Sequence, residues 1–186
     1  MVVAVTGSQR ADSHTATAVE RTLERARAAG AETDHVDLGA LDLPLFDPDA
    51  PDAGDAESLR RRVRAADAVV LGTPMYHGSF SSPLKTALDY CGFDEFEGTT
   101  VGLVAVAGGA FPTAALDHLR SVCRALDAWV LPTHVAVPNS HAQFEDGAFV
   151  DADLEARVET FGTELVRYAG VESYDRTETV AAPAGD

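Results

Sequence analysis

The first fifteen residues constrain the fold of this chain most, because an apolar run leads through a small polar loop into a helical pattern. The run from Val2 to Thr6 is rich in β-branched residues and shows no polar alternation, which predicts a short strand buried on both faces. Gly7 is expected where a side chain would crowd the turn, and a helix is predicted from near Ser13 to Gly30. The chain therefore begins with a strand–turn–helix unit.

The loop of this unit has the composition of an anion-binding turn. Unpaired backbone N–H groups and the positive end of the helix dipole meet at a helix N-terminus. Ser8, Ser13 and Thr15 add hydroxyl donors, and Arg10 adds a planar cation that suits a phosphate group. An ordinary β–α turn with Ser13 as N-cap accounts for the same residues, so the loop alone leaves both interpretations open.

Length and composition indicate one globular domain. The chain has 186 residues, of which 46% are hydrophobic, and we expect a domain over residues 1–170 and a disordered acidic tail over 171–186. No apolar run is long enough to span a bilayer, and the start lacks the basic residues of a signal peptide. Cys91 and Cys123 are far apart and predict packed, reduced thiols in a cytoplasmic protein rather than a disulfide or a metal site.

The charge of the chain is strongly acidic. Thirty acidic residues against fourteen basic ones give a formal net charge of −16, a balance that repels nucleic acid and anionic membranes. Lys85 is the only lysine, and this composition resembles that of proteins from organisms with a very salty cytoplasm. At about 1 M salt the Debye length is roughly 3 Å, so repulsion between surface charges is weak. We expect a halophilic protein; the alternative is an acidic protein from an ordinary bacterium.

Strand and helix patterns alternate along the rest of the chain. The further strands are predicted at 32–38, 68–72, 101–107 and 129–137. The helices are predicted at 14–29, 56–66, 83–92, 113–127 and 151–168. Strands one, three and four are apolar throughout, whereas strand two alternates and strand five contains Pro132, so the last two belong at the edges. These features predict a flavodoxin-like, doubly wound α/β fold with a five-stranded parallel sheet of order 2-1-3-4-5, whose ligand site lies between strands one and three.

Three loops follow the buried strands and meet at that end of the sheet. They are residues 7–13, 74–82 and 108–111. The second loop offers backbone N–H groups and the flat rings of Tyr76 and Phe80, and the third allows close approach at Gly108 and Gly109. This layout suits a phosphate tethered to a flat heterocycle. The first loop lacks the three spaced glycines of a dinucleotide fingerprint and the lysine of a Walker motif, which favours FMN over NAD or ATP.

The motifs in these loops also resemble those of a known family. The sequence is GSQRADS at 7–13, TPMYHGS at 73–79 and LKTALDY at 84–90. In this order, and over roughly residues 2–170, the chain resembles the NADPH-dependent FMN reductase family of flavodoxin-like proteins. The resemblance is specific for FMN and less so for the electron acceptor.

The resemblance implies a set of cofactor-binding residues. Those expected to hold the FMN phosphate are Ser8, Arg10, Ser13 and Thr15. Those expected along the edge of the isoalloxazine ring are Pro74, Met75, Tyr76, His77 and Gly78, with Gly108 and Gly109 at its pyrimidine side. The family often has Glu at the position of Met75 and Asn at that of His77, so the expected ring contacts there are those of the backbone.

The resemblance further implies an oxidoreductase in which NADPH or NADH passes hydride to FMN, and FMN reduces a small acceptor such as a flavin, a quinone, an azo compound or a metal ion. Because the flavin carries this chemistry, no side chain is expected to be catalytic and no metal is expected. The predicted partners are this acceptor and further copies of the chain, as a homodimer or homotetramer with helix 83–92 near the interface.

Two other functions remain open at this point. A flavodoxin-like electron carrier would bind FMN without NAD(P)H activity of its own; Arg10 favours the reductase, since flavodoxins typically use a neutral phosphate loop rich in serine and threonine. A nucleotide-binding module without a flavin is the third interpretation.

Overall fold

The apolar run at the N-terminus forms the second strand of a parallel sheet in the computed structural model, which describes residues 1–170. The strands are β1 (Val2–Thr6), β2 (Thr33–Asp37), β3 (Ala68–Tyr76), β4 (Ser79–Phe80), β5 (Thr100–Val106), β6 (Trp129–Val130), β7 (Val135–Val137), β8 (Phe144–Glu145) and β9 (Ala148–Phe149). The helices are α1 (His14–Ala28), α2 (Ala56–Arg64), α3 (Ser82–Tyr90), α4 (Phe93–Phe96), α5 (Thr113–Ala125) and α6 (Ala152–Tyr168), with a 3₁₀ turn at Ser140–Ala142. The predicted tail, 171–186, lies outside the described residues.

The sheet has the strand order β2-β1-β3-β5-β6, which confirms the predicted flavodoxin-like order. β1 pairs in parallel with β2 on one side and with β3 on the other, so Ala4 lies between His35 and Val70. Every residue of β1 is buried, as its uninterrupted β-branched pattern predicts. The first crossover places α1 on one face, and the carboxyl ends of β1, β3 and β5 lie at the same edge of the sheet.

Three local predictions differ from the structure. The predicted strand 129–137 is two short segments, β6 and β7, which both pair with β5; Pro132 lies in the interruption between them and has no N–H to donate. The stretch after Gly72, expected to be irregular, continues β3 to Tyr76 and folds back as the hairpin strand β4. The short helix α4 and the separate hairpin β8–β9 have no counterpart in the prediction.

Helices cover both faces of the sheet. Helices α1 and α6 pack on one face and α2, α3 and α5 on the other, and each side has its own set of fully buried side chains. Gly7 allows α3 to pack closely against the carboxyl end of β1. A Cβ atom at this position would lie 2.6 Å from Ser81 Oγ and 2.8 Å from Leu84 Cβ. The Ser81 hydroxyl donates a 2.7 Å hydrogen bond to the Gly7 carbonyl. The glycine is therefore required by the close approach of α3 rather than by the turn itself.

Ion pairs cover the surface of the helices, as the arginine-rich pattern of α2 predicts. Arg60 pairs with Asp52 and Glu57, and Arg62 pairs with Asp34 on β2 at 2.6 Å. Among residues 1–170, no helix is long and apolar enough to cross a membrane.

Candidate functional site

The loops that follow β1, β3 and β5 enclose a cleft of about 380 Å³ at the carboxyl edge of the sheet. A cleft of this volume falls within the range of small-molecule and cofactor sites. The predicted residues that line it are Ser8, Arg10, Ser13, Thr15, Pro74, Met75, Tyr76, His77, Gly108 and Gly109. Gly78 is the one predicted site residue that the structure leaves outside the lining. The topology thus brings together three loops that are far apart in the sequence.

The first loop presents hydrogen-bond donors at the start of α1. Ser13 is the N-cap, and its Oγ accepts a 3.1 Å hydrogen bond from the backbone N–H of Ala16. The N–H groups of His14 and Thr15 lie in the first turn, where a helix offers no partner for them. Arg10 is exposed, and its guanidinium makes no ion pair within residues 1–170. Ser13 therefore caps the helix, and Ser8, Arg10 and Thr15 line the cleft beside it.

The second loop is the tight hairpin between β3 and β4. Its two central residues, His77 and Gly78, have φ angles of 51° and 80°, the positive values that a type I′ turn requires. Gly78 thus supplies a backbone conformation at the tip of the hairpin, beyond the cleft. The Tyr76 ring, just before the tip, is 60% exposed.

Phe80 does not contribute a flat wall to the cleft, contrary to the expectation from sequence. Its side chain is buried, and its ring centroid lies 5.1 Å from that of His118 on α5. The cause is the strand pairing, since Phe80 lies opposite Met75 in the β3–β4 hairpin and points into the core beneath it. Tyr76 is the aromatic residue of this loop that lines the cleft.

The third loop is held open by a neighbouring segment. The backbone N–H of Asn139 donates to the Gly109 carbonyl at 2.9 Å, and that of Ser140 donates to the Ala107 carbonyl at 2.9 Å. A Cβ at Gly109 would have no neighbour within 4 Å, and one at Gly108 would reach only the His141 ring, at 3.8 Å. The glycines therefore leave space on the side of the cleft where a flat ring is expected to lie.

Four lining residues were missed by sequence reasoning: His14, Val106, Ser140 and His141. His14 has a local signal, since it directly follows the N-cap of the helix that starts at the anion-binding loop. His141 has none, because the loop after β7 reaches the cleft only through its hydrogen bonds to the third loop. The ring of His14 stacks on Phe144 with centroids 4.6 Å apart and meets His141 edge-on at 6.0 Å.

The electrostatics of the cleft are opposite to those of the whole chain. Its lining contains Arg10 and three of the six histidines, and within the described residues no aspartate or glutamate. Burial, and then the neighbouring His141 and Arg10, lower the pKa of His14 below its usual value. A larger groove of about 520 Å³, between α1 and β8–β9, is instead lined by three glutamates, Glu20, Glu24 and Glu155, against one arginine, Arg21. The carboxylates of that groove repel a phosphate, so the smaller cleft is the candidate anion site.

The two cysteines and the possible metal ligands among residues 1–170 do not form a reactive site. Burial raises the pKa of both Cys91 and Cys123 to about 12, and neither residue lines the cleft. Residues 1–170 contain no group of three or more histidine, cysteine, aspartate or glutamate side chains that could hold a metal ion.

The residues present fit a phosphate-bearing heterocycle such as FMN. Arg10 and the free N–H groups of α1 suit the phosphate, while Tyr76 and the open space beside Gly109 suit a flat ring. The residues suited to the phosphate and those suited to the ring line the same cleft.

Comparisons with known proteins agree with this geometry. Residues 1–142 match the family model described as NADPH-dependent FMN reductase. An FMN-dependent NADPH-azoreductase of Staphylococcus aureus is 31% identical over 180 residues, which cover 92% of this chain and 96% of that protein. A flavoenzyme NAD(P)H:(acceptor) oxidoreductase from Paracoccus denitrificans has a similar structure, with a TM-score of 0.73, 22% identity, and coverage of 90% of this chain and 97% of that one. Reduced flavodoxin from Megasphaera elsdenii, at 18% identity and a TM-score of 0.62 over 90% of this chain and 99% of that one, shares the fold.

Proposed function

The chain belongs to the NADPH-dependent FMN reductase family, and from this premise we propose that it binds FMN in the cleft and uses NADPH or NADH to reduce a small acceptor. The observation that carries the proposal is one cleft that joins phosphate donors to a flat, open wall. Its lining within residues 1–170 contains no acidic residue, although the chain has a net charge of −16. Such a cleft favours an anionic cofactor that the rest of the surface repels.

In this proposal the protein binds and orients the cofactor. Ser8, Arg10 and the first-turn N–H groups of α1 hold the phosphate, and the backbone of the second and third loops lies along the ring. Bound FMN supplies the chemistry, which is to take a hydride from a nicotinamide and to give electrons to an acceptor. Tyr76 and the glycines of the third loop leave one face of the ring accessible, which both the donor and the acceptor require.

The acceptor class that we propose is a flat, conjugated molecule, such as a flavin, a quinone or an azo compound. Two exposed aromatic residues support it: Tyr76 in the second loop is 60% exposed and Phe111, two residues after Gly109, is 78% exposed. Tyr76 lines the cleft and Phe111 belongs to the third loop, so both exposed rings offer stacking surfaces for planar molecules. The relative in Staphylococcus aureus is named for the reduction of azo compounds.

We expect ping-pong kinetics if this proposal is right. Donor and acceptor that use the same open face of the flavin cannot bind together, so each must leave before the other enters. After an FMN titration has established saturation, double-reciprocal plots against NADPH at several acceptor concentrations should give parallel lines. Intersecting lines would keep the enzyme but reject the shared face.

The electron-carrier alternative makes a different prediction in the same experiment. A carrier saturated with FMN would be bleached by dithionite or by a partner reductase, and hardly at all by NADPH or NADH. That result would reject the reductase, and the absence of FMN binding at any salt concentration would reject both.

The denatured protein should release its flavin, because no residue of the cleft within residues 1–170 suggests a covalent link.

We also propose that the protein is cytoplasmic and assembles as a homodimer or homotetramer with α3 near the interface. The unpaired thiols Cys91 and Cys123 support a reducing compartment. The assembly rests on the family resemblance, and light scattering on the purified protein measures it directly.

We propose halophilic adaptation as well, and expect the unfolding midpoint to rise from low salt to molar KCl. At low salt the surplus acidic side chains repel one another. At about 1 M salt the Debye length is roughly 3 Å, so this repulsion is screened beyond that distance. Screening also weakens surface ion pairs such as those of Arg21 with Glu155 and Glu159. Each such pair contributes little to stability, so the loss is smaller than the gain from reduced repulsion between acidic residues. Thermal unfolding in a KCl series measures the effect, and a midpoint that stays flat or falls would reject a halophilic origin.

A further inference from the structure

His14 lies in the cleft at the junction of two loops that no local pattern connects. It is the first residue of α1, directly after the N-cap Ser13. Its ring is held from one side by Phe144, with the ring planes 20° apart, and from another by the edge of the His141 ring. These contacts hold an imidazole beside the donors of the phosphate loop, in the same lining as Arg10.

Within residues 1–170, the charged and titratable groups that act on the His14 imidazole are both basic. The phosphate loop contributes Arg10 and the 3₁₀ turn contributes His141. The first turn of α1 has no acidic residue, and β8 presents the apolar ring of Phe144. Burial together with these two neighbours lowers the pKa of His14 below its usual value, which favours the neutral imidazole while the cleft is without an anion.

We propose that His14 is a proton-linked phosphate-binding residue, which is neutral in the free protein and takes up a proton when the phosphate monoester of FMN enters the cleft. This inference rests on the proposed function. A dianion next to the imidazole favours the charged form, and it offsets the repulsion that Arg10 and His141 exert on that form. The resulting imidazolium donates a charge-assisted hydrogen bond that a neutral ring cannot match. FMN affinity should then rise as the pH falls.

Without a titrating histidine, the sign of the effect would be reversed. The second pKa of a phosphate monoester is about 6, and a site made of Arg10 and backbone N–H groups prefers the dianion. Binding to such a site lowers the pKa of the phosphate, releases protons near neutral pH and weakens as the pH falls. The direction of proton exchange therefore separates the two cases.

The test is calorimetry of FMN binding near pH 7 in buffers of different ionisation enthalpy, which counts the protons exchanged. The unmodified protein should take up protons, and its FMN affinity should rise about two- to fivefold from pH 8.5 to pH 6.5, because a pKa raised by about one unit on binding gives its full tenfold effect only well below the pKa of the free protein. His14→Gln should replace the uptake by a small release of protons, and its FMN affinity should fall slightly as the pH falls. His134→Gln is the matched control, because His134 lines a different groove beside Arg157 and should leave both quantities unchanged.

Riboflavin and a second variant keep the interpretation specific. Riboflavin lacks the phosphate, so it should bind the unmodified protein and His14→Gln equally and without proton uptake, which also shows that the variant is folded. His14→Lys, with a charge already in place, should bind FMN without proton uptake. Net proton release by the unmodified protein, or uptake that persists in His14→Gln, would overturn the role of His14. Loss of binding of both FMN and riboflavin by the unmodified protein would instead overturn the proposed function, and this inference with it.

Discussion

Replacing Arg10 with alanine is expected to weaken FMN binding about ten- to hundredfold, because a charge-assisted hydrogen bond to a phosphate contributes roughly 1.5–3 kcal/mol. The guanidinium is exposed and makes no ion pair within residues 1–170, so its removal leaves no buried carboxylate without a partner. The loss should therefore appear in cofactor affinity rather than in the free energy of unfolding. Fluorescence titration with FMN measures it.

Riboflavin and a second arginine provide the controls for this variant. Riboflavin lacks the phosphate, so Arg10→Ala should change its affinity little. Arg61→Ala removes an exposed arginine from α2, outside the cleft, and should leave FMN affinity unchanged apart from the small effect of net charge. Equal losses for FMN and riboflavin in Arg10→Ala would show that the guanidinium does not bind the phosphate.

The parts of the site that could be predicted from sequence are those determined by strand burial. A β-branched run without polar alternation must lie inside the sheet, and runs interrupted by polar residues or by Pro132 must lie at its edges. This places the carboxyl ends of β1, β3 and β5 together. The three loops that follow these strands then meet without any knowledge of their side-chain contacts. The strand order and the position of the cleft follow from the same pattern.

The residues that were misplaced or missed depend on tertiary contacts. Phe80 was expected in the cleft because it lies in the right loop, but the hairpin register turns its ring into the core. Gly78 is expected at the ring from the family resemblance, and the structure places it at the positive-φ tip of the hairpin, outside the lining of the cleft. His141 was missed because its place in the cleft requires the loop after β7 to lie against the third loop. No spacing in the sequence encodes that contact.

The packing of α6 on the sheet also depends on tertiary contacts that the sequence does not reveal, and the largest expected effect on stability arises there. Gly102 reads in the sequence as one residue of an apolar strand. In the structure a Cβ at this position would lie 2.5 Å from the ring of Phe161 on α6, so the glycine makes room for that ring. Phe161 is 2% exposed and lies in the core shared by α1 and α6. A sequence pattern identifies both residues as buried but cannot pair them.

Phe161→Ala should therefore lower the free energy of unfolding by about 3–5 kcal/mol. The missing ring leaves a cavity, and Gly102 beside it has no side chain that could occupy the space. Phe93→Ala, at a side chain that is 56% exposed, is the matched control and should change stability by no more than about 0.5 kcal/mol. Urea unfolding measures both. Gly102 lies in the first half of β5, away from the cleft at its carboxyl end, so FMN affinity of folded Phe161→Ala should match that of the unmodified protein. A small loss of stability would mean that α1 and α6 close over the cavity, and a loss of FMN affinity at full folding would show that the cleft depends on this core.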